Sequence, residues 1–433
     1  MSARFLFCCW PFEGHVLPQM SIAAALRDGG AEVAFYTAPE RRAMIESQGL
    51  TFFGFERVRR AWERTLAMER RTGGRRQSLR VQRQAFREWL VETIPDQVGD
   101  LRAILDRWRP DVLVCDLSMW GPIVVLGEAA PIPVAGSSTF MGPLIPGPDA
   151  PPWGFGLKPP RSRRDRAVAA LLTRATDVVA AGMRRRIDEF RAADGLPPMG
   201  CSVNAFTGRL PLYLVPSLPE LDYGRRDLSD RVHYTGYCLW HPPEEPERAA
   251  WLDALPRDRP WVHVTEGTSH HQEPYVLRAA ARGLAGAPVE ALLTTGRSRD
   301  PDALGLGPPA PNVHVARWLS HAELLPRCRA VVTTGGPATI MAALRAGVPL
   351  VVVPTTWDKP DNARRVVEAG VGVRLSARRC TPERLRAAVE RVLDDPGYRV
   401  AAQRVSARLA EAPGPAGAAE LLHTLVPRRA VLG

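Results

Sequence analysis

The sequence predicts an α/β protein built from two tandem, doubly wound parallel-sheet domains that face an interdomain cleft. Three observations carry this prediction. Short apolar runs without polar alternation recur along the chain, as strands buried on both faces require. They alternate with segments of helical period, the rhythm of βαβ units. That rhythm breaks at "GYCLWHPPEEPERAAWLDALPRDRP" (236–260), rich in proline and charge, and then restarts. A chain of 433 residues is long enough for two cores of ordinary size.

The first buried run is "RFLFCCW" (4–10). "LPQMSIAAALRDGG" follows as a helix, with Pro18 near its start and Gly29 and Gly30 at its end. "AEVAFYT" (31–37) reads as a second strand and 39–49 as a second helix. "PDVLVCD" (110–116) and "IPVAGSS" (132–138) are further strands. The stretch "FMGPLIPGPDAPPWGFGLKPP" (140–160) is rich in proline, glycine and aromatics, which favours a ligand-facing loop over a linker. After 236–260 come the strands "WVHVTEGT" (261–268), "VEALLTTG" (289–296), "NVHVARWL" (312–319), "AVVTTGG" (330–336) and "PLVVVPTTWD" (349–358), and "GPAGAAELLHTLV" (414–426) is a terminal helix. The expected division is a first domain over 1–235, a linker over 236–260 and a second domain over 261–413, with 414–433 packing back on the first.

Composition narrows the function classes. No apolar run reaches the length of a membrane span. Pro11, Glu13 and His15 interrupt the N-terminal run and no small-residue cleavage site follows, so it reads as a strand and not a signal peptide. The seven cysteines form no CxxC pair and are odd in number, which predicts buried thiols in a reducing, cytoplasmic setting. The nine histidines show no metal spacing; His270 and His271 are adjacent, so their side chains diverge on any regular element. The net charge is +11, and Lys158 and Lys359 are the only lysines. The basic stretches at 57–89 and 161–166 carry no nucleic-acid module and read as solvated helix faces. The expected partners are small molecules. Nucleic acid and stable membrane insertion are not expected, and the chain is expected as a monomer or homodimer.

Two places carry chemistry. A buried strand ends in Thr333-Thr334-Gly335-Gly336, and Pro337 then opens a helix with Ala338 and Thr339 in its first turn. Free N–H groups and the helix dipole favour an anion such as a diphosphate there, and the glycines let it approach the backbone. The polar "WDKPDN" at the end of the next strand can meet sugar hydroxyls. In the other domain His15 follows the first strand at its carboxyl edge, where ligands sit in such sheets. An imidazole with a pKa near 6.5 can take a hydroxyl proton. Asp116 ends a strand of the same sheet and can orient it, although a helix-cap role is open to an aspartate in that position.

The segment "AVVTTGGPATIMAALRAGVPLVVVPTTWDKPDNARRVVEAGVGVRL" (330–375) resembles the donor-binding signature of family 1 (UDP-glycosyltransferase-like) glycosyltransferases, above all the bacterial members that decorate antibiotics and other natural products. The resemblance rests on "TGGPAT", "AALRAGVPLVVVP", "WDKPDNARRV", the nucleobase-binding segment "WLSHAELLPRC" (318–328) and the catalytic-histidine segment "PFEGHVLP" (11–18). It implies a B-type fold of two Rossmann-like domains, the first for the acceptor and the second for a nucleotide sugar. It also implies inverting, metal-independent transfer from a UDP- or dTDP-linked co-substrate, with no other cofactor. His15 becomes the base and Asp116 its partner. Trp318 stacks on the nucleobase and Leu319 bonds it through the backbone. Thr268, Thr334, Gly336, Ala338 and Thr339 hold the diphosphate, and Trp357, Asp358 and Lys359 meet the sugar. Phe12, Trp120, Phe140, Met141 and Trp153 are the candidate acceptor contacts, with the region around 60–90. The family usually has His at 334 and Gln at 359, where this chain has Thr334 and Lys359. Either the leaving diphosphate is then less stabilised or another cation compensates; Arg297 is the candidate for that cation, beside the reading of it as a solvated loop arginine. The readings left open beside glycosyl transfer are a nucleotide-sugar epimerase or hydrolase, and a non-catalytic sugar-nucleotide-binding protein.

Overall fold

The computed structural model describes residues 2–64, 84–240, 250–268, 273–297, 299–307 and 310–427. His270, His271, much of the basic 57–89 stretch and 241–249 of the 236–260 segment lie outside the described residues.

The chain forms two parallel sheets. The first contains β1 (Arg4–Cys8), β2 (Glu32–Thr37), β3 (Thr51–Gly54), β4 (Val112–Asp116), β5 (Val134–Ser137), β6 (Leu212–Val215) and β7 (Val232–Tyr234), in the spatial order β3-β2-β1-β4-β5-β6-β7. The second contains β8 (Trp261–Thr265), β9 (Glu290–Thr294), β10 (Val313–Ala316), β11 (Cys328–Thr333), β12 (Leu350–Val352) and β13 (Gly372–Arg374), in the order β10-β9-β8-β11-β12-β13. Both orders reverse direction between the first strand and its later neighbour: β1 beside β4, and β8 beside β11. These are the switch points outside which ligands bind in doubly wound sheets.

Phe5, Leu6, Phe7 and Cys8 of β1 are fully buried, which explains the unbroken apolar run. The strands expected at 312–319 and 349–358 are shorter than their apolar patterns: β10 ends before Trp318, and β12 ends before the Thr355–Asp358 turn that Pro354 begins. The helix expected at 39–49 is a 3₁₀ turn (Pro39–Arg41) followed by Arg42–Glu46. The helix expected to begin near Pro18 is α1 (Glu13–Asp28), which starts earlier. The Phe12 carbonyl accepts from the backbone N–H groups of His15 and Val16, so His15 lies in the first helical turn and not in a preceding loop. Pro18 is tolerated inside the helix.

No regular element runs through 140–160, but Ser162 starts a long helix, α2 (Arg163–Ala193), through a reciprocal capping box with Asp165. The later helices that matter for the site are α3 (Pro337–Arg345), α4 (Lys359–Glu368) and α5 (Gly414–His423). In α5, Ala418, Ala419 and Leu422 join the core of Phe5, Phe7 and Val16. Met141, Leu218 and Leu221 from the first half enter the core formed by Trp261, Ile340 and Val352 of the second. All seven cysteines are free, five of them buried, and no described helix is long and apolar enough to cross a membrane.

Candidate active site

His15 and Asp116 meet at the switch point of the first sheet. β1 and β4 pair in register, Cys8 opposite Cys115, so the residues just beyond them share one edge. His15 Nδ1 lies 2.5 Å from Asp116 Oδ2. The other carboxylate oxygen accepts from the Ser118 hydroxyl at 2.8 Å and the Ser118 N–H at 3.0 Å. Asp116 is fully buried, while the His15 side chain keeps 20% exposure. Burial alone would depress the imidazole pKa. The charge of Asp116, its hydrogen bond and the charge of Asp358 in the other domain outweigh burial and hold His15 above its usual 6.5. Burial would raise Asp116, but His15 and Ser118 hold it below the usual carboxylate range. Nδ1–H donating to Asp116 leaves Nε2 as the basic nitrogen.

Aromatic rings surround this base. Phe12 lies 5.4 Å from His15 between ring centroids and meets Trp62 and Trp89 edge-on. Trp357, from the second domain, lies 4.2 Å from Phe86 and 5.6 Å from Trp89. Its φ of +65° is an outlier for a bulky side chain. The sequence places Trp357 on the donor side, and its ring packs on aromatics of the first domain. Trp62, Phe86 and Trp89 were not singled out in the sequence; aromatics set among the arginines of 57–89 are the signal for them. Trp89 Nε1 is buried with no hydrogen-bond partner among the described residues. Phe140 and Trp153 meet edge-on at 6.0 Å. Trp120 donates its N–H to the Leu117 carbonyl and packs on the first core. Met141 is corrected: it is fully buried in the core between the domains and lines no acceptor surface, because an unbranched apolar side chain fills that seam.

The second sheet builds its edge the same way. Thr268 follows β8 and is exposed. Gly336 precedes α3, and no atom would crowd a Cβ placed on it, so its surroundings are open. Ala338 and Thr339 occupy the first turn of α3, where backbone N–H groups have no helical partner. Thr334 is buried and donates its hydroxyl to the Glu266 carbonyl at 2.9 Å, so its proton is engaged between two loops. The Glu266 side chain pairs with Arg299 at 2.7 Å. Arg297, the cation the sequence offers for the diphosphate, is exposed. Its guanidinium lies over the Trp318 ring, 4.2 Å from the centroid, because a planar cation beside an indole face gains more there than in open solvent. Leu319 is buried. Asp358 accepts from Asn362 Nδ2 at 2.7 Å, and the same amide donates to the Gly335 carbonyl at 2.9 Å, locking the two loops together. Burial raises the Asp358 pKa, although Asn362, Lys359 and His15 oppose the rise. Lys359 begins α4 and is largely buried.

This arrangement can orient a base on one side of a cleft and bind an anion on the other. Known proteins are similar to this chain in sequence and in fold. Residues 291–425 match the erythromycin biosynthesis protein CIII-like, C-terminal domain. The chain is 35% identical, over 98% of its own length and 100% of the relative's, to 4'-demethylrebeccamycin synthase of Lentzea aerocolonigenes. Its fold is similar to that of the kitacinnamycin glycosyltransferase, with a TM-score of 0.75, 22% identity and coverage of 98% of this chain and 100% of that one. It is also similar to spinosyn rhamnosyltransferase SpnG complexed with thymidine diphosphate, with a TM-score of 0.69, 22% identity and coverage of 97% and 100%. Those two likenesses speak for the two-domain B-type fold; the first relative, matched end to end, speaks for the family. The chain belongs to the family 1 glycosyltransferases of the antibiotic type.

Proposed function

We propose that the protein transfers a sugar, with inversion and without a metal ion, from a nucleoside-diphosphate sugar to a hydroxyl-bearing, aromatic or lipophilic natural product. The observation that carries this reading is the 2.5 Å His15–Asp116 pair, with Nε2 left as the base. Nε2 takes the acceptor proton as the acceptor oxygen attacks the anomeric carbon. The bond from that carbon to the diphosphate breaks on the opposite face, and the electron pair leaves with the nucleoside diphosphate. The first turn of α3 faces the developing charge with unpaired N–H groups and the positive end of the helix dipole. A thymidine or uridine diphosphate suits this end of the cleft; the first is the ligand in the spinosyn rhamnosyltransferase complex.

The aromatic wall of Phe12, Trp62, Phe86, Trp89 and Trp357 supports a flat, apolar acceptor. Small-molecule partners follow from this reading. A mass-spectrometric screen of UDP- and dTDP-sugars against aromatic natural products tests it, with the His15→Ala variant alongside. The expected result is a product heavier by one glycosyl residue, formed by wild type and nearly absent with the variant. Donor loss that does not depend on any acceptor would instead make the protein a hydrolase or epimerase. Donor binding without turnover across the panel would make it a binding protein.

A further inference from the structure

Asp361 lies in the first turn of α4, three residues after Asp358, and is 3% exposed. Its carboxylate reaches into the other domain. Oδ2 accepts from the Gly154 N–H and Oδ1 from the Gly156 N–H, each at 2.6 Å. Both glycines have positive φ, 90° and 61°. A Cβ on Gly156 would lie 2.6 Å from the Pro360 carbonyl oxygen, so only glycine brings this backbone against α4. The Gly156 carbonyl accepts in turn from Arg374 Nη1 at 2.9 Å and Arg364 Nε at 3.3 Å.

The grip extends along the loop. Gly142 lies directly against the Arg365 guanidinium. Arg365 pairs with Asp222 at 2.9 Å, and the Tyr234 hydroxyl donates to the other Asp222 oxygen at 2.6 Å. Tyr223 donates to the Asp361 carbonyl at 3.3 Å. Trp153, next to Gly154, carries the ring that meets Phe140. One short helix therefore follows Asp358, whose charge acts on His15, and in its first turn fixes the backbone that carries Trp153.

We propose that Asp361 is a positioning residue for the transfer. It holds the 153–156 backbone against the donor domain, so that the acceptor pocket is complete only while the two domains are docked. This deepens the glycosyltransferase reading and rests on loop 140–157 facing the acceptor. A carboxylate that receives two backbone N–H groups in a buried setting makes strong, charge-assisted bonds that fix both distance and direction.

The test begins with a measurement that needs no turnover. Amide hydrogen exchange is followed at Gly154 and Gly156 in the full chain, free and with saturating UDP or dTDP. Wild type is expected to protect both amides. Asp361→Ala should lose that protection by roughly 10-fold or more, the scale of a hydrogen bond to a charged group. Asp361→Asn, which keeps one acceptor oxygen, should fall between. Exchange in β11 and α3 should not change. Gly156→Ala, which disturbs the loop from the other side, should reproduce the Asp361→Ala pattern. With a donor–acceptor pair from the screen, the acceptor KM should rise about 10-fold in Asp361→Ala while the Kd for UDP or dTDP stays within about twofold. Equal exchange in wild type and variants would overturn the proposal. So would a loss of protection spread through the second sheet, or a nucleotide Kd that weakens as much as the acceptor KM. A screen that yields no acceptor would count against the transferase reading alone, because the exchange result stands without it.

Discussion

Asp116 divides its carboxylate between two partners, His15 on one oxygen and Ser118 on the other. The Ser118 contacts fix the carboxylate plane, and the plane fixes the tautomer of His15. Removing the imidazole should therefore remove the base without touching the anion site at α3. His15→Ala is expected to lower kcat by about 10²–10⁴-fold, the usual scale of general-base loss. Calorimetry with UDP and dTDP should give wild-type Kd values. Wild-type turnover by the variant would exclude His15 as the base.

The same pair sets a pH profile. His15 acts only when neutral, and Asp116 holds its pKa above 6.5. Activity should therefore fall as pH drops through a value above 6.5, on the acid limb of kcat/KM. In Asp116→Asn the main force raising that pKa is gone while burial, which lowers it, remains. The acid limb should then move to lower pH even as the maximal rate declines. A limb that does not move in the variant would mean that another group titrates.

The meeting of His15 and Asp116 is legible in the sequence because Asp116 ends one strand and His15 opens the helix after another, each strand is announced by its apolar run, and strand ends in a parallel sheet share one edge. The Gly335–Gly336 turn and α3 are legible for the same reason. Met141, Arg297, Trp357 and Asp361 are not. Their roles depend on which surface of the other domain, or of a neighbouring loop, each side chain meets, and no local period encodes that. The long helix α2 is hidden differently. It buries only Ala169, Ile187 and Arg191 and leaves Val168, Leu171, Val178 and Val179 exposed, so its apolar residues trace no core-facing stripe.

Metal independence can be tested directly. If the first turn of α3 stabilises the leaving diphosphate, exhaustive chelation should leave kcat unchanged. A loss of activity restored by one divalent ion would show that the helix terminus does not suffice.

Trp357 pairs a strained backbone with an interdomain aromatic contact. At a φ of +65° an alanine keeps the strain and loses the ring, whereas a glycine loses the ring and relieves the strain. Trp357→Gly should therefore unfold at a higher temperature than Trp357→Ala, by about 1 kcal/mol of stability. Both should raise the acceptor KM, because both remove the ring that meets Phe86 and Trp89. Equal melting temperatures would show that the turn relaxes once the ring is gone.

Thr334 and Arg297 can be tested for the proposed donor site, which lacks the histidine usual in the family. Thr334 spends its proton on the Glu266 carbonyl, and the Arg297 guanidinium lies over the Trp318 ring. The contribution of Arg297 should therefore be felt at the nucleobase end. Arg297→Ala should weaken nucleoside and nucleoside diphosphate to a similar extent, about two- to fivefold, as expected for a partly exposed cation–π contact. Thr334→Ala should lose a hydrogen bond between loops and cost about 1 kcal/mol of stability, with a small effect on diphosphate affinity. Thr334→His would place a donor at the diphosphate edge and should tighten the nucleoside diphosphate relative to the nucleoside, the more so at lower pH where the imidazole is charged. If Arg297→Ala weakened only the diphosphate, the guanidinium would have to leave Trp318 when the donor binds, and the missing histidine would be compensated by that movement.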